Sequence, residues 1–268
     1  MMSLHDARLR GEALLAGTMP GVYRALLRTR GRSNPMKVLL ASLVRRGDVV
    51  FDVGANQGIF AAMMSNLVGR DGRVHAFEPS PDTCKLLLST LAARARNPAN
   101  VAVNAMAVGA EDGVAMLHTP QRDHGQASMR THDSGSWSGG AAVESREITV
   151  RRLDTYVAAQ QLARIDVVKM DIEGAELPAL RGFAGSLHTF HPVVVCELCG
   201  AWTRAFDYEP AEALEELRCA GYTAFYLVTS RGDLSPLAYV RALNDGESRD
   251  IVATAGAVHA GRIRPLVR

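Results

Sequence analysis

The sequence predicts an open α/β fold: a mostly parallel, seven-stranded sheet flanked by helices, behind an N-terminal helical extension. Three observations predict it. From Asp48 onward, short apolar runs alternate with helical stretches long enough for right-handed crossovers. The first run, Val49–Val53, carries Asp52 and enters a glycine turn, Gly54-Ala55-Asn56-Gln57-Gly58, before a helix. The second run ends at Phe77-Glu78-Pro79. A strand, a glycine turn and an acid closing the next strand form the arrangement by which such sheets hold the adenosyl part of a cofactor.

Residues 1–46 read as helical, from Leu4 to about Arg28 and from Pro35 to Arg46, with a break at Pro20-Gly21. They form a cap or an oligomer contact ahead of the main domain, 47–268. The first helix of the sheet spans Gly58–Leu67, and Asp71-Gly72 is a turn. Strand two is Val74–Phe77, and its helix runs from Pro81 to Ala95 with Ser80 as N-cap. Strand three is Val101–Val108, strand four Val167–Met170 and strand five Val193–Glu197. Helices Glu173–Phe183 and Pro210–Ala220 follow strands four and five, and Thr223–Val228 and Asp250–Ala255 complete the sheet. Between strands three and four, Val114–Leu117 and Glu147–Arg151 read as a two-stranded excursion around a variable loop, 119–146, rich in Gly, Ser and His. A loop of that length is commonly functional.

Asp52 selects the cofactor. A dinucleotide would bring its pyrophosphate beside this carboxylate and be repelled, whereas the ammonium and sulfonium of S-adenosylmethionine suit it. Glu78 is in register to bind ribose hydroxyls. The second constellation is Lys169-Met170-Asp171-Ile172-Glu173-Gly174-Ala175-Glu176 at the carboxyl end of strand four, where open α/β sheets bind ligands. Asp171 faces the cofactor or acceptor. Glu173 and Glu176 open a helix, where carboxylates suit the dipole. Lys169, near the end of a buried strand, needs a carboxylate partner. Glu197, ending strand five, stands beside Asp171, and the two carboxylates form a candidate site for one divalent ion such as Mg2+.

Net charge is +2, with 47% hydrophobic and 22% charged residues, which gives no electrostatic case for nucleic acid. No apolar run approaches the roughly 20 residues of a membrane span, and Met1 to Gly31 lacks the apolar core of a signal peptide. The chain therefore reads as cytoplasmic, and Cys84, Cys196, Cys199 and Cys219 as reduced thiols. Cys196-Glu197-Leu198-Cys199 has zinc-like spacing near His188 and His191. An intervening strand would hold His191 and Cys196 roughly 16 Å apart, too far for one tetrahedral ion. A buried strand cysteine and a loop cysteine are expected instead.

Phe51-Asp52-Val53-Gly54-Ala55-Asn56-Gln57-Gly58, Ala76-Phe77-Glu78-Pro79, Ala107-Val108-Gly109, Leu153-Asp154 and Lys169 through Glu176 occur in the order typical of the FkbM family of methyltransferases, which the chain resembles from about Val49 to Phe183. Gln126-Ala127-Ser128-Met129 resembles a weaker family segment. The resemblance implies a class I (Rossmann-like) methyltransferase fold and O-methylation of a sugar, polyketide or other natural product. Family members commonly carry a His soon after the strand-five Glu; Leu198-Cys199 stands there in this chain.

The expected cofactor contacts are therefore Asp52, Gly54, Ala55, Asn56 and Gly58 around the turn. Glu78, Pro79, Ser80, Ala107 and Asp171 complete them. Asp171, Glu197 and Lys169 are the candidate catalytic residues, Asp171 and Glu197 the candidate metal ligands. His118, His124 or His132 could act as a base on the closing loop, and Trp137 and Trp202 could stack on an acceptor ring. The partner is a small-molecule hydroxyl acceptor, with no nucleic acid and no membrane, and the N-terminal helices allow a homodimer. The acceptor pocket is expected from the extension, the variable loop and Leu198–Asp207. Alternative readings are an NAD(P)-dependent oxidoreductase, a nucleic-acid amino-group methyltransferase and a non-catalytic S-adenosylmethionine-binding module. The turn spacing, Asp52 and the missing Pro-Pro after strand four oppose the first two.

Overall fold

The structure, a computed structural model, describes residues 4–29, 34–121, 124–132, 137, 141–238 and 247–268. Helices α1 (Leu4–Thr18) and α2 (Pro20–Thr29) meet at Pro20, which takes the first position of α2, where its missing N–H costs nothing. Asn34 caps α3 (Pro35–Leu43) by accepting from the N–H groups of Met36 and Lys37. The sheet then begins with β1 (Val49–Val53), α4 (Ile59–Val68), β2 (Arg73–Phe77) and α5 (Pro81–Arg94). Ser80 caps α5 through the Thr83 N–H at 3.3 Å.

The chain continues through β3 (Val101–Asn104), β4 (Ala107–Val108), β5 (Gly113–Pro120), β6 (Val143–Arg151), α6 (Leu153–Ala159) and β7 (Val167–Met170). After these come α7 (Glu176–Arg181), α8 (Ala184–Phe190), β8 (Val193–Cys199), α9 (Gly200–Ala205) and α10 (Pro210–Cys219). The end comprises β9 (Ala224–Val228), β10 (Leu234–Pro236), β11 (Ser248–Thr254) and α11 (Ala260–Ile263).

The main sheet has the order β10-β9-β11-β8-β7-β1-β2-β3. From β3 to β8 neighbours are parallel, and β11 runs antiparallel to both β8 and β9. This is the mostly parallel, helix-flanked open sheet that the sequence predicts, with eight strands where seven are expected. The extra strand is a three-residue edge, ending at Pro236, that folds back on β9; so short a run carries no readable alternation.

The predicted third strand is split. Val101–Asn104 stays in the main sheet, while Ala107–Val108 leaves it to pair with β6 in a second sheet, β4-β6-β5. The predicted excursion is thus an eight-residue by nine-residue hairpin. The helix expected from Glu173 starts only at Glu176, because Glu173 (φ 53°) and Gly174 (φ 101°) are left-handed and form a turn.

Alternating strand residues feed two cores. Val50, Val74, Val167 and Val195 pack with Leu39, Leu40 and Met64 on one face. Ala16, Tyr23 and Leu27 belong to that same core, so the N-terminal helices are continuous with the domain. Phe51, Phe77, Val168 and Met170 pack with Phe183, Leu187 and Leu217 on the other face. Asp154, in the Leu153-Asp154 pair, accepts from the N–H groups of Gly185 and Ser186 and so caps α8 across the structure. At the amino end of the sheet, Arg262 of α11 binds both carboxylate oxygens of the buried Asp48 and reaches Asp166. All four cysteines are free, and Cys196 and Cys199 both lie in β8. Among the described residues no helix is long and apolar enough to cross a membrane.

Candidate active site

Strand order puts the carboxyl ends of β7, β1 and β2 side by side, with Asp52 opposite both Lys169 and Ala76. The turn after β1 closes on this edge: the N–H groups of Gly54 and Ala55 both donate to the Phe77 carbonyl, at 3.1 and 2.9 Å. Gly54 is left-handed (φ 77°), and a Cβ there would lie 1.8 Å from the Asp171 carbonyl oxygen. A Cβ on Gly58 (φ 79°) would meet Leu87 at 2.9 Å. Both glycines thus have a packing reason as well as a conformational one.

Over this edge lies a cleft of about 330 Å3, a size suited to a small ligand. The turn residues Gly54, Ala55 and Asn56, with Glu78, Pro79 and Ala107, line it, as do Lys169, Asp171 and Glu173. Phe77, Met106, Val108 and Leu117 make an apolar wall, and Ala127, Ser128 and Met129 close it from the loop between β5 and β6. Asp52, Gly58, Ser80 and Glu197 do not reach the cleft surface; nor does any described residue of 1–46 or of Leu198–Asp207.

Glu78 is 6% exposed. Its two oxygens accept from the Asn56 N–H at 3.0 Å and the Ser80 N–H at 2.9 Å. Burial raises its pKa, and these two hydrogen bonds oppose the rise. The backbone beside it is fixed by Pro79 and Pro81, so the carboxylate is presented in one orientation with lone pairs left for vicinal hydroxyls. The apolar wall and this acid suit the adenine and ribose of an adenosyl cofactor.

Lys169 organises the other end. Its ammonium donates to the Gly54 carbonyl at 2.8 Å and pairs with Asp171 at 3.3 Å and Asp52 at 3.4 Å, with the Phe60 ring 5.4 Å away. Burial alone would pull its pKa down, but Asp171 and Asp52 outweigh burial and hold it above the usual lysine range. Asp52 is wholly buried beneath it, and burial raises that carboxyl's pKa against the pull of Lys169. Asp52 therefore acts on the cleft through Lys169.

Behind Asp171, Glu197 is held by the Ser248 hydroxyl. Burial raises its pKa, and the charge of Asp171 raises it further. Asp250 of β11 stands opposite Glu197 in the sheet register, and burial with the Glu197 charge pushes it to about 7. Asp171 and Glu197 are thus brought together, but the arrangement does not fit a divalent ion. Asp171 is already paired with an ammonium, and among the described residues no group of three or more His, Cys, Asp or Glu is disposed to hold a metal.

Glu176 is a buried anchor that does not reach the cleft. It accepts from Ile172 N–H (3.0 Å), Gly174 N–H (3.4 Å) and the Tyr208 hydroxyl (3.2 Å), which fixes the turn carrying Glu173. Burial pushes it up to about 7. Glu173 itself faces the cleft, and burial followed by the charges of Asp171, Glu176 and Glu197 pushes it to about 9. Its carbonyl accepts from the Ser128 hydroxyl at 2.9 Å.

His118, His132, Trp137 and Trp202 do not line the cleft. His118 bonds Ser145 on the outer hairpin. His132 packs between Trp137, tilted at 5.3 Å, and Trp202, edge-on at 4.1 Å, so both indoles are used to pack the loop. The side chain of His124 lies outside the described residues. Of the family-like segment Gln126-Ala127-Ser128-Met129, the last three residues line the cleft. Sequence reasoning missed Phe60 and Asp250: Phe60 reads as an ordinary apolar residue, and Asp250 gains meaning only from its pairing with Glu197.

The family model for the methyltransferase FkbM domain matches residues 52–224. The chain is 27% identical over 169 residues to the hexuronic acid methyltransferase AglP of Haloferax volcanii, covering 62% of each protein. It is 32% identical over 162 residues to the 31-O-demethyl-FK506 methyltransferase FkbM of Streptomyces tacrolimicus, covering 52% of this chain and 60% of that one. These matches therefore span less than two thirds of the relatives' own length. Among solved structures it is similar to methyltransferase FkbM from Methylobacillus flagellatus KT, with TM-score 0.46 and 14% identity over 91% of this chain and 57% of that one. A second similar structure is Aeropyrum pernix fibrillarin with natively bound S-adenosyl-L-methionine, at TM-score 0.43 and 14% identity over 79% and 68%.

Proposed function

The chain belongs to the FkbM family of S-adenosylmethionine-dependent methyltransferases, and from that premise we propose that it methylates a hydroxyl of a small molecule, a sugar or a polyketide-type natural product. One observation carries the reading: a single cleft joins Glu78, suited to a ribose, to the Lys169–Asp171 pair, suited to an acceptor hydroxyl. The names of two relatives, one specifying a hexuronic acid and one an O-linked position of FK506, support an oxygen acceptor.

When bound, S-adenosylmethionine supplies a methyl group made electrophilic by its sulfonium. The protein's part is placement and proton handling. Glu78 and the β1 turn hold the adenosyl end in a fixed place, so the reacting atoms meet at short range. Asp171 receives the hydroxyl by hydrogen bond. Lys169 favours the oxygen that gains negative charge. Glu197 sits behind Asp171 and shares its charge environment. Ala127, Ser128 and Met129 cover the cleft and keep water out.

The test is incubation with methyl-labelled S-adenosylmethionine and a panel of hydroxylated sugars, uronic acids and macrolides, with products read by NMR. An O-methyl product is expected. Products methylated only at nitrogen would overturn the oxygen acceptor, and tight cofactor binding without turnover on any extract would favour a binding module.

A further inference from the structure

The cleft, at about 330 Å3, lies near the lower end of the roughly 300–1,000 Å3 range of small-molecule sites. An adenosyl cofactor reaching from Glu78 to Asp171 fills most of that space, so the part of an acceptor beyond its reacting ring has to lie elsewhere. A second groove of about 660 Å3 lies between the β5–β6 hairpin, the start of α7 and the end of α9. Met129 lines both spaces. On either side of it Ser128 faces the cleft and Arg130 the groove; on α7 and its cap, Ala175 faces the cleft and Pro178 the groove. The Ser128 hydroxyl also holds the Glu173 carbonyl, so this shared wall stands at the Asp171 end of the cleft, away from the ribose acid Glu78.

The groove is polar and apolar at once. Glu111 and Arg130 are exposed in it, and among the described residues neither side chain makes an ion pair. Asp112 is already bound, accepting from the Arg152 N–H at 2.7 Å and facing Arg151 at 3.6 Å. His118 exchanges both backbone hydrogen bonds with Ser128 on the outer edge of β5, so the two-residue period of the strand turns the N–H and C=O of Val114 to that same edge. Beside these donors and acceptors, the exposed Val114 side chain and the half-buried Pro178 and Phe206 supply apolar surface. A ring sugar matches this mixture, with hydroxyls around its rim and C–H groups on its faces. A polyketide chain, largely apolar, would cover Glu111 and Arg130 without pairing them, at a cost in desolvation.

Resting on the methyltransferase reading, we propose that this groove is a second acceptor subsite: it holds a further sugar unit of a glycoside whose reacting ring enters the cleft beside Asp171, with Met129 as the passage between the two. The Glu111 carboxylate accepts from hydroxyls of that unit and the Arg130 guanidinium donates to them. Met129 suits its place, because an unbranched side chain with three rotatable bonds can shift to let a linkage pass. Met129, Arg130 and Thr131 come from the variable loop and Phe206 from Leu198–Asp207, two of the segments from which the acceptor pocket is expected. No described residue of 1–46 lines the groove. The acceptor is accordingly a glycoside of at least two units, and a free monosaccharide is a poor one.

The experiment is saturation-transfer NMR on the S-adenosylhomocysteine complex, with affinities from titration. The probes are cellobiose, maltose and a glucuronosyl-glucose disaccharide, the matching methyl monoglycosides, and the macrolide erythromycin. A disaccharide should bind about tenfold more tightly than its monoglycoside, the worth of one or two added hydrogen bonds, with transfer to both rings. The double variant Glu111→Ala with Arg130→Ala, both at exposed side chains, should keep its affinity for S-adenosylhomocysteine and lose that advantage. No disaccharide binding better than its monoglycoside would overturn the proposal, as would an advantage that survives the double variant, or a macrolide that binds where no disaccharide does. The wild-type comparison decides even where the variant fails to fold. Failure of S-adenosylhomocysteine itself to bind would instead overturn the methyltransferase reading.

Discussion

The Lys169 ammonium lies 3.4 Å from the Asp52 carboxylate, with Lys169 2% exposed and Asp52 fully buried. This pair ties the middle of β1 to the end of β7 beneath the cleft. Removing Lys169 would leave the Asp52 charge buried and unpaired, which costs about 3–5 kcal/mol, whereas removing Asp52 leaves Lys169 with Asp171 and the Gly54 carbonyl. Asp52→Ala should therefore lower stability by less than that and weaken cofactor binding together. The double variant Asp52→Asn with Lys169→Met should recover much of the stability but no turnover. Denaturant titration of the three proteins checks this; a stable Asp52→Ala that merely fails to bind would return Asp52 to direct cofactor contact.

Ser128→Ala removes the hydroxyl that holds the Glu173 carbonyl across the cleft. The expected loss is about 1 kcal/mol of local stability, with faster amide exchange in 124–132 and weaker S-adenosylhomocysteine binding. Unchanged exchange there would show that the Trp137–His132–Trp202 packing holds the loop alone.

Through the buried groups Glu176, Asp250, Glu173 and His75, stability should fall as pH rises from about 5 towards 9, with the one lowered histidine offsetting only part of the loss contributed by the three raised carboxyls. Glu176 and Asp250 sit at about 7 in the fold and Glu173 at about 9, all raised chiefly by burial. A raised carboxyl binds its proton more tightly in the folded state, so the stability it confers is complete below the unfolded pKa of about 4 and is lost as pH rises through 7 and on to 9. His75 works in the opposite direction. Burial lowers it to about 4, so its contribution is present above the unfolded value of about 6.5 and is lost as pH falls through 4. A melting-temperature series from pH 4 to 9 checks the shape, and Glu176→Gln should flatten the fall between about pH 5 and 7.

Asp171→Asn should keep cofactor affinity within a few-fold and lose turnover by about 10²–10⁴, the usual worth of a proton-transfer group. Chelator should leave the wild-type rate unchanged, since Lys169 already neutralises Asp171. A rate restored only by magnesium after chelation would mean that Asp171 and Glu197 hold an ion after all.

Much of the sheet was legible because its strands are short apolar runs ended by turn residues: Val49–Val53 and Val167–Met170 match the structure residue for residue. Ser80 caps α5, as its place before Pro81 predicts. What escaped was what pairing decides. Ala107–Val108 continues an apolar run but changes sheets, and Leu234–Pro236 is too short to show alternation. Lys169 needed a carboxylate partner by sequence, but the identity of that partner, Asp52 as well as Asp171, depends on strand register. Glu173 read as a helix-opening acid because nothing local announces a left-handed residue before Gly174; the anchors that impose it, Ser128 and Glu176, lie 45 and three residues away.

The most direct measurement is calorimetric titration of the protein with S-adenosylhomocysteine and, separately, with NADH, each with and without magnesium. Micromolar binding of the thioether alone, unaffected by magnesium and lost in Glu78→Ala, is the result predicted for the cleft between Glu78 and Asp171. Binding of NADH in its place would contradict the account and turn the same cleft to redox chemistry.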